Sequence, residues 1–346
     1  MPPAFHPGLI NAPEGDPGLF VPMHFQRRAV IMDLGDITAL SPRDILKISH
    51  VFVTHTHMDH FIGFDRLLRI LLGREKQLYL YGPAGFLANL EGKLAGYTWN
   101  LVDNYTSCLA LNAVEVHEDK LIRRRYASKD RFSAGPTDTR LRRQDAPLHD
   151  EPAFLVSCAV LDHGLPVLGF SLEEKFTINI RKDALDKLRL CPGPWLQEFK
   201  GALYRGADPN QEIRAPSNVS GAESTWRIGE LARELAIITR GRKIAYICDV
   251  GYSRTNREKI IDLVRGADHL FIEAAFLEKE KPHALKKQHL TARQAGEIAA
   301  AAAVRRYTLF HFSPRYAGNS EDFYKEAADA ATIPAMPSPK LQPPGA

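Results

Sequence analysis

The chain has 346 residues, 45% of them hydrophobic and 25% charged, with a formal net charge of +4. That composition suffices for a substantial core and excludes a collagen-like or disordered chain, while so small a positive excess permits a polyanionic partner without demanding one. The four cysteines, Cys108, Cys158, Cys191 and Cys248, are dispersed, which argues against a disulfide framework and for a reduced, cytoplasmic setting.

The first twenty residues show no charged-then-apolar leader pattern, and the best apolar run, in FDRLLRILLGR, is far too short to span a bilayer. The expectation is a single domain over 1–332 without a membrane segment. In chain order, the apolar run Val51, Phe52, Val53 reads as a buried strand that ends in His55-Thr-His57-Met-Asp59-His60. Helical spacing follows over Phe64 to Leu72. Leu121 to Arg143 is strongly basic and reads as an insertion, in which Arg123, Arg124, Arg125, Arg142 and Arg143 are candidate phosphate contacts, with Tyr126 and Phe132 available for base stacking.

The same grammar then recurs. An apolar run over Phe154 to Leu161 delivers His163, one over Ile244 to Cys248 delivers Asp249, and one over Tyr307 to Phe310 delivers His311. Between them lie a turn-rich excursion over 176–224, an amphipathic helix over Trp226 to Thr239, and a helix opened by a capping box at Thr255-Asn-Arg-Glu258. A strand over His269 to Ala274 and an alanine-rich helix opened by Thr291-Ala-Arg-Gln294 follow. Strand–helix alternation at this spacing implies a layered α/β architecture. Cys248, one residue before Asp249, should face away from it, because side chains alternate along a strand. Cys158 and Cys248 read as buried structural thiols. His6, His24, His50, His117, His149, His269 and His283 lack the strand-end setting and read as ordinary histidines. The proline-rich tail over 333–346 reads as disordered.

Imidazoles and carboxylates at strand ends, with no thiolate motif, suit zinc, with manganese or iron as alternatives. A pair of divalent ions fits His55, His57, Asp59 and His60 better than one, since a single ion cannot easily take all four groups. Two such ions can hold a hydroxide between them and stabilise both the attacking and the leaving oxygen.

HTHMDH behind an apolar strand resembles the metallo-β-lactamase superfamily, and Asp33 in IMDLGD resembles that superfamily's first motif, an aspartate bracing the metal loop. The resemblance implies a four-layer αβ/βα sandwich with one sheet from each half of the chain. It implies that His55, His57 and His163 hold one ion, that Asp59, His60 and His311 hold the other, and that Asp249 bridges them. LDHGLPVLGFSL, FIEAAF, QHLTARQAGEIA and HFSPRY, in that order, resemble the ribonuclease Z family, endonucleases that remove 3′ trailers from precursor tRNA. This implies attack of the hydroxide on phosphorus and His289 as the acid for the leaving ribose oxygen. Glu273 would orient His289, and Asp59 would orient the nucleophile or take its proton. A homodimer is implied too. The sequence departs from the family at Val250 and Ala275, where threonine is usual, and shows no clear tRNA-clamping arm. A small phosphodiester, an aryl sulfate or a thioester is therefore the alternative substrate, and a metal-stabilised RNA-binding scaffold is the non-enzymatic alternative.

Overall fold

The computed structural model describes residues 5–23, 27–143, 146–218 and 223–331. The proline-rich tail and His24 lie outside these residues.

Among the described residues an eight-stranded sheet runs in chain order: β1 (Gly8–Leu9), β2 (Leu19–Met23), β3 (Arg28–Met32), β4 (Ile48–Phe52), β5 (Lys76–Pro83), β6 (Leu109–Val116), β7 (Lys120–Ala127) and β8 (Asp138–Leu141). The second sheet begins with β9 (His149–Asp150), β10 (Phe154–Asp162) and β11 (Pro166–Glu174). The chain then leaves it through β12 (Phe176–Ile180), β13 (Glu212–Pro216), β14 (Glu223–Arg227) and β15 (Ala236–Arg240). It returns as β16 (Lys243–Ile247), β17 (His269–Glu273) and β18 (Tyr307–Phe310), which complete a six-stranded sheet ordered β18-β17-β16-β11-β10-β9. β3 to β6 pair in parallel, as do β16 to β18.

Side chains that alternate along each strand build the layers. Phe52 turns inward to pack with Tyr81, Phe154, Phe170 and Tyr246 between the sheets, whereas its neighbour Val51 turns outward under Phe64, Leu67 and Leu90. On the far side, Ile247 and Leu270 pack beneath Ile260 of the helix Arg254–Val264, Ile298 of Ala292–Ala301 and Ala327 of Glu321–Ala331. This is the four-layer αβ/βα sandwich. Phe52 is fully buried, so truncation to alanine should cost about 3–5 kcal/mol.

Several local expectations are corrected. The segment expected as one helix over Trp226 to Thr239 is helical only over Ile228–Leu235. Trp226 lies on β14, and the β-branched run Ala236-Ile-Ile-Thr-Arg240 forms β15, paired along its length with β12. The excursion therefore closes at Arg240 rather than at 224, around its own core of Leu185, Trp195, Phe199, Ile213 and Leu231. The helix expected to be capped at Thr255 begins earlier, with the Ser253 hydroxyl accepting from the Asn256 amide. The capping box at Thr291 and Gln294 is formed. The basic segment is woven into the first sheet as β7 and β8, not inserted beside it.

Candidate metal centre

The predicted ligands gather where β4, β10, β16 and β18 end, with Asp33 at the end of β3 beside them. Past β4, His57 caps the short helix Met58–Phe61, which carries Asp59 and His60. That turn packs directly on the loop after β3: Leu34 N–H donates to His60 O, and Gly63 N–H donates to Leu34 O, each at 2.8 Å. A Cβ on Gly35 would lie 2.5 Å from Asp59 O, and one on Gly63 only 2.2 Å from Gly35 O, so backbone approaches backbone at both positions. The sequence shows both glycines, but their mutual contact is legible only in space.

Asp33, Asp249 and His311 all have left-handed backbones, with φ of 57°, 49° and 61°. Each such residue costs on the order of 1–2 kcal/mol, and the same twist breaks the strand's alternation and turns the side chain into the cleft. This corrects the expectation for Cys248. Its Sγ lies 3.2 Å from Asp249 Oδ1, and it groups with His60, Asp249 and His311 instead of facing away.

Asp33 is fully buried and acts as the brace. Its Oδ1 accepts from Thr54 N at 2.7 Å, and its Oδ2 accepts from Tyr246 OH at 3.1 Å and from His60 Nδ1 at 2.9 Å. With Nδ1 of His60 committed to Asp33, Nε2 is the nitrogen left facing Asp249 Oδ2, at 3.4 Å. His163 is fixed in the same way, its Nδ1 donating to Gln288 O at 2.7 Å while Nε2 sits 3.6 Å from Asp249 Oδ2. His55 Nε2 stands 3.6 Å from that oxygen, and His311 lies 3.4 Å from both Asp249 Oδ1 and Asp59 Oδ2. Asp249 is thus the shared centre. His55, His57, His163 and Asp249 form one group of converging donor atoms, and His60, Cys248, Asp249 and His311 form another.

The donors fit divalent cations. His55 Nε2, His60 Nε2 and His311 Nδ1 are buried without any hydrogen-bond partner, a costly state that cations would relieve. Burial, with His60 alongside, pushes His55 down to about 2, so its imidazole is neutral and able to ligate. For Asp59, burial works against ionisation, but His311 and His60 hold the carboxyl at about 2. His60 is the converse case: burial opposes its proton, and the Asp249 and Asp33 carboxylates outweigh burial. That excess of negative charge is what a cation at Nε2 would answer.

Glu273 and His289 lie beside this cluster. Glu273 is fully buried; Oε1 accepts from Val250 N at 2.6 Å and Oε2 faces His289 Nδ1 at 2.9 Å. Burial opposes the His289 proton, but the Glu273 carboxylate prevails and lifts the imidazole to about 9. His289 also sits 4.0 Å from Asp249 Oδ1.

Asn256 was not anticipated. It is 3% exposed, accepts from Asp162 N, and donates to Asp162 O and Gly251 O, both at 2.8 Å. One amide thus ties the loop bearing His163 to the loop bearing Asp249. An asparagine in the first turn of a helix is too common for sequence to single out.

The basic residues divide. Arg124 bonds Glu91 at 2.5 Å and Thr137 at 2.7 Å, and Arg142 bonds the carbonyls of His117 and Cys158 at 3.0 and 2.7 Å. Both are occupied by the fold. Tyr126 is buried with its hydroxyl on Glu91, and Phe132 is buried against Trp99, so neither is open for base stacking as expected. Arg123 is half-buried, while Arg125 and Arg143 are exposed.

Comparison with known proteins agrees with this architecture. A family model described as Beta-lactamase superfamily domain matches residues 220–312. Ribonuclease Z of Microcystis aeruginosa is 30% identical over 301 residues, covering 85% of this chain and 77% of its own length. Ribonuclease Z of Deinococcus radiodurans is 29% identical over 290 residues, covering 83% of each. The metallo-beta-lactamase fold protein YhfI from Bacillus subtilis shares the fold, with a TM-score of 0.53, 15% sequence identity and 95% of each chain covered.

Proposed function

Because the chain belongs to the ribonuclease Z family, whose members are metal-dependent hydrolases, we propose that it is an endoribonuclease removing 3′ trailers from precursor tRNA. The observation that carries this reading is the His289–Glu273 pair set beside the cluster around Asp249. A phosphodiester, unlike a thioester, has a poor alkoxide leaving group that needs a proton.

His55, His57 and His163 would hold one divalent cation and Asp59, His60 and His311 a second, with Asp249 shared between them; zinc suits this donor set best, and manganese or iron would also serve. When bound, the cations supply a water acidic enough to attack at neutral pH and positive charge for the phosphoryl oxygens. Asp59, held ionised and 44% exposed at its side chain, orients that water and accepts its proton. His289 carries a proton at Nε2 for the departing ribose oxygen, and Glu273 fixes the ring by accepting from Nδ1. Asp33 takes no part in proton transfer; it holds His60 in one tautomer.

Among the described residues no helix is long and apolar enough to cross a membrane. We place the protein in the cytoplasm, where its substrate is made, and infer a homodimer from the family. The test offers the zinc-loaded protein a trailer-bearing precursor tRNA, a small chromogenic diester and a thioester. Trailer removal that stops on chelation and returns with zinc supports the proposal; turnover of the thioester alone overturns it.

A further inference from the structure

A second cluster of ligating side chains lies at the other end of the sandwich. His50, His149 and Glu151 present one donor atom each, all within 4.8 Å of one another. His50 stands on β4 five residues before His55, roughly 15 Å away along an extended strand. Its side chain points between the sheets, as does that of Phe52. His149 is on β9, the edge strand of the second sheet, and Glu151 follows it. The cluster therefore spans both sheets and shares no residue with the centre around Asp249.

Its hydrogen bonds engage one end of each ring. His50 Nδ1 is 3.0 Å from the Ser49 hydroxyl, and His149 Nδ1 is 3.0 Å from the Tyr81 hydroxyl. With Nδ1 of each ring engaged, Nε2 is the nitrogen left to a cation, which at His149 would take the place of the proton now shared with Glu151. His149 Nε2 is 3.4 Å from Glu151 Oε2, close to the edge of a tetrahedron of ligands about 2 Å from an ion. His50 Nε2 has no hydrogen-bond partner, although the residue is only 2% exposed. The two rings lie 4.4 Å apart, near the 4.3 Å that separates His55 from His57.

Arg28 is the opposing feature. It pairs with both oxygens of Glu151 at 2.9 and 3.1 Å and comes within 3.4 Å of His50 Nδ1. Its charge weakens a cation's attraction to this site, yet it also fixes the carboxylate in place. Arg28 and Glu151 satisfy each other and the Tyr81 hydroxyl meets His149, but the buried His50 Nε2 stays unanswered, a state that costs about 1–3 kcal/mol.

We propose that His50, His149 and Glu151 form a cross-sheet binding site for a zinc-type divalent cation, separate from the catalytic cluster, which staples the two sheets together. Two imidazoles and one carboxylate select zinc-type ions over magnesium or calcium. The partly exposed His149 and Glu151 give the ion its route in and leave a coordination position for water.

The test compares the full-length protein with His149→Gln and Glu151→Gln, each stripped of metal, reloaded with zinc and dialysed. The wild type is expected to retain about one more zinc per chain than either variant, and its thermal midpoint should rise with zinc more than theirs. All three should cleave a small diester within about twofold of one another, since neither residue belongs to the catalytic cluster; this separates failure here from failure of the nuclease reading. Should a variant not fold, anomalous scattering at the zinc edge from wild-type crystals decides alone. A peak about 2 Å from both Nε2 atoms supports the site. Equal zinc content in all three proteins, or only a water between those atoms, overturns it.

Discussion

Glu273 Oε2 accepts from His289 Nδ1 at 2.9 Å, which fixes one proton of that ring on the side facing the Glu273 carboxylate. With the imidazole lifted to about 9, His289 is protonated at neutral pH and loses its proton only as pH rises through that region. Glu273→Gln removes the negative charge that raises it. The alkaline limb of kcat should then shift to lower pH, and kcat on an RNA substrate should fall by about 10²-fold or more. A pH profile of the variant identical to that of the wild type would mean that Glu273 is only a buried structural carboxylate.

Asn256→Ala should loosen the metal centre without unfolding the protein. The three hydrogen bonds it deletes connect the Asp162–His163 turn to Gly251 beside Asp249. Zinc affinity measured against a competing chelator should drop about 10–100-fold, while the far-ultraviolet circular dichroism stays native.

Gly63→Ala should be damaging out of proportion to its size. The added methyl would sit 2.2 Å from Gly35 O, and that backbone carries the contact positioning Asp59 and His60. A loss of roughly 3 kcal/mol or more is expected in denaturant unfolding; a change under about 0.5 kcal/mol would show that the two loops can separate freely.

These contacts also show what the sequence could and could not reveal. Apolar runs ending in His55, His163, Asp249 and His311 announce strands with ligands at their tips, so the layers and the cluster are both legible. The direction of Cys248 was not, because a left-handed Asp249 breaks the period-two rule at the residue that matters. β15 was hidden because Ala236 to Arg240 fits a helix pattern locally and becomes a strand only through β12, nearly sixty residues away. His50 and His149 look unremarkable in sequence, since what joins them is the packing of one sheet on the other.

The basic strand gives a paired prediction. Arg124→Glu breaks the bond to Glu91 and sets like charges together, so its effect should be on stability, a lower thermal midpoint. Arg125→Glu, exposed on the same strand, should leave the midpoint unchanged and, if this face meets RNA, lower the slope of log affinity against log salt by about one. Equal slopes for Arg125→Glu and wild type would exclude this face from RNA binding.

The most direct measurement is of the ends produced from a precursor tRNA with a 3′ trailer. Protonation of the leaving ribose oxygen by His289 predicts a tRNA ending in a 3′-hydroxyl and a trailer starting with a 5′-phosphate, with the same cut lost in His289→Asn even when zinc is fully loaded. A precursor left intact by the zinc-loaded wild type, or a cut leaving a phosphate on the tRNA, would contradict the account.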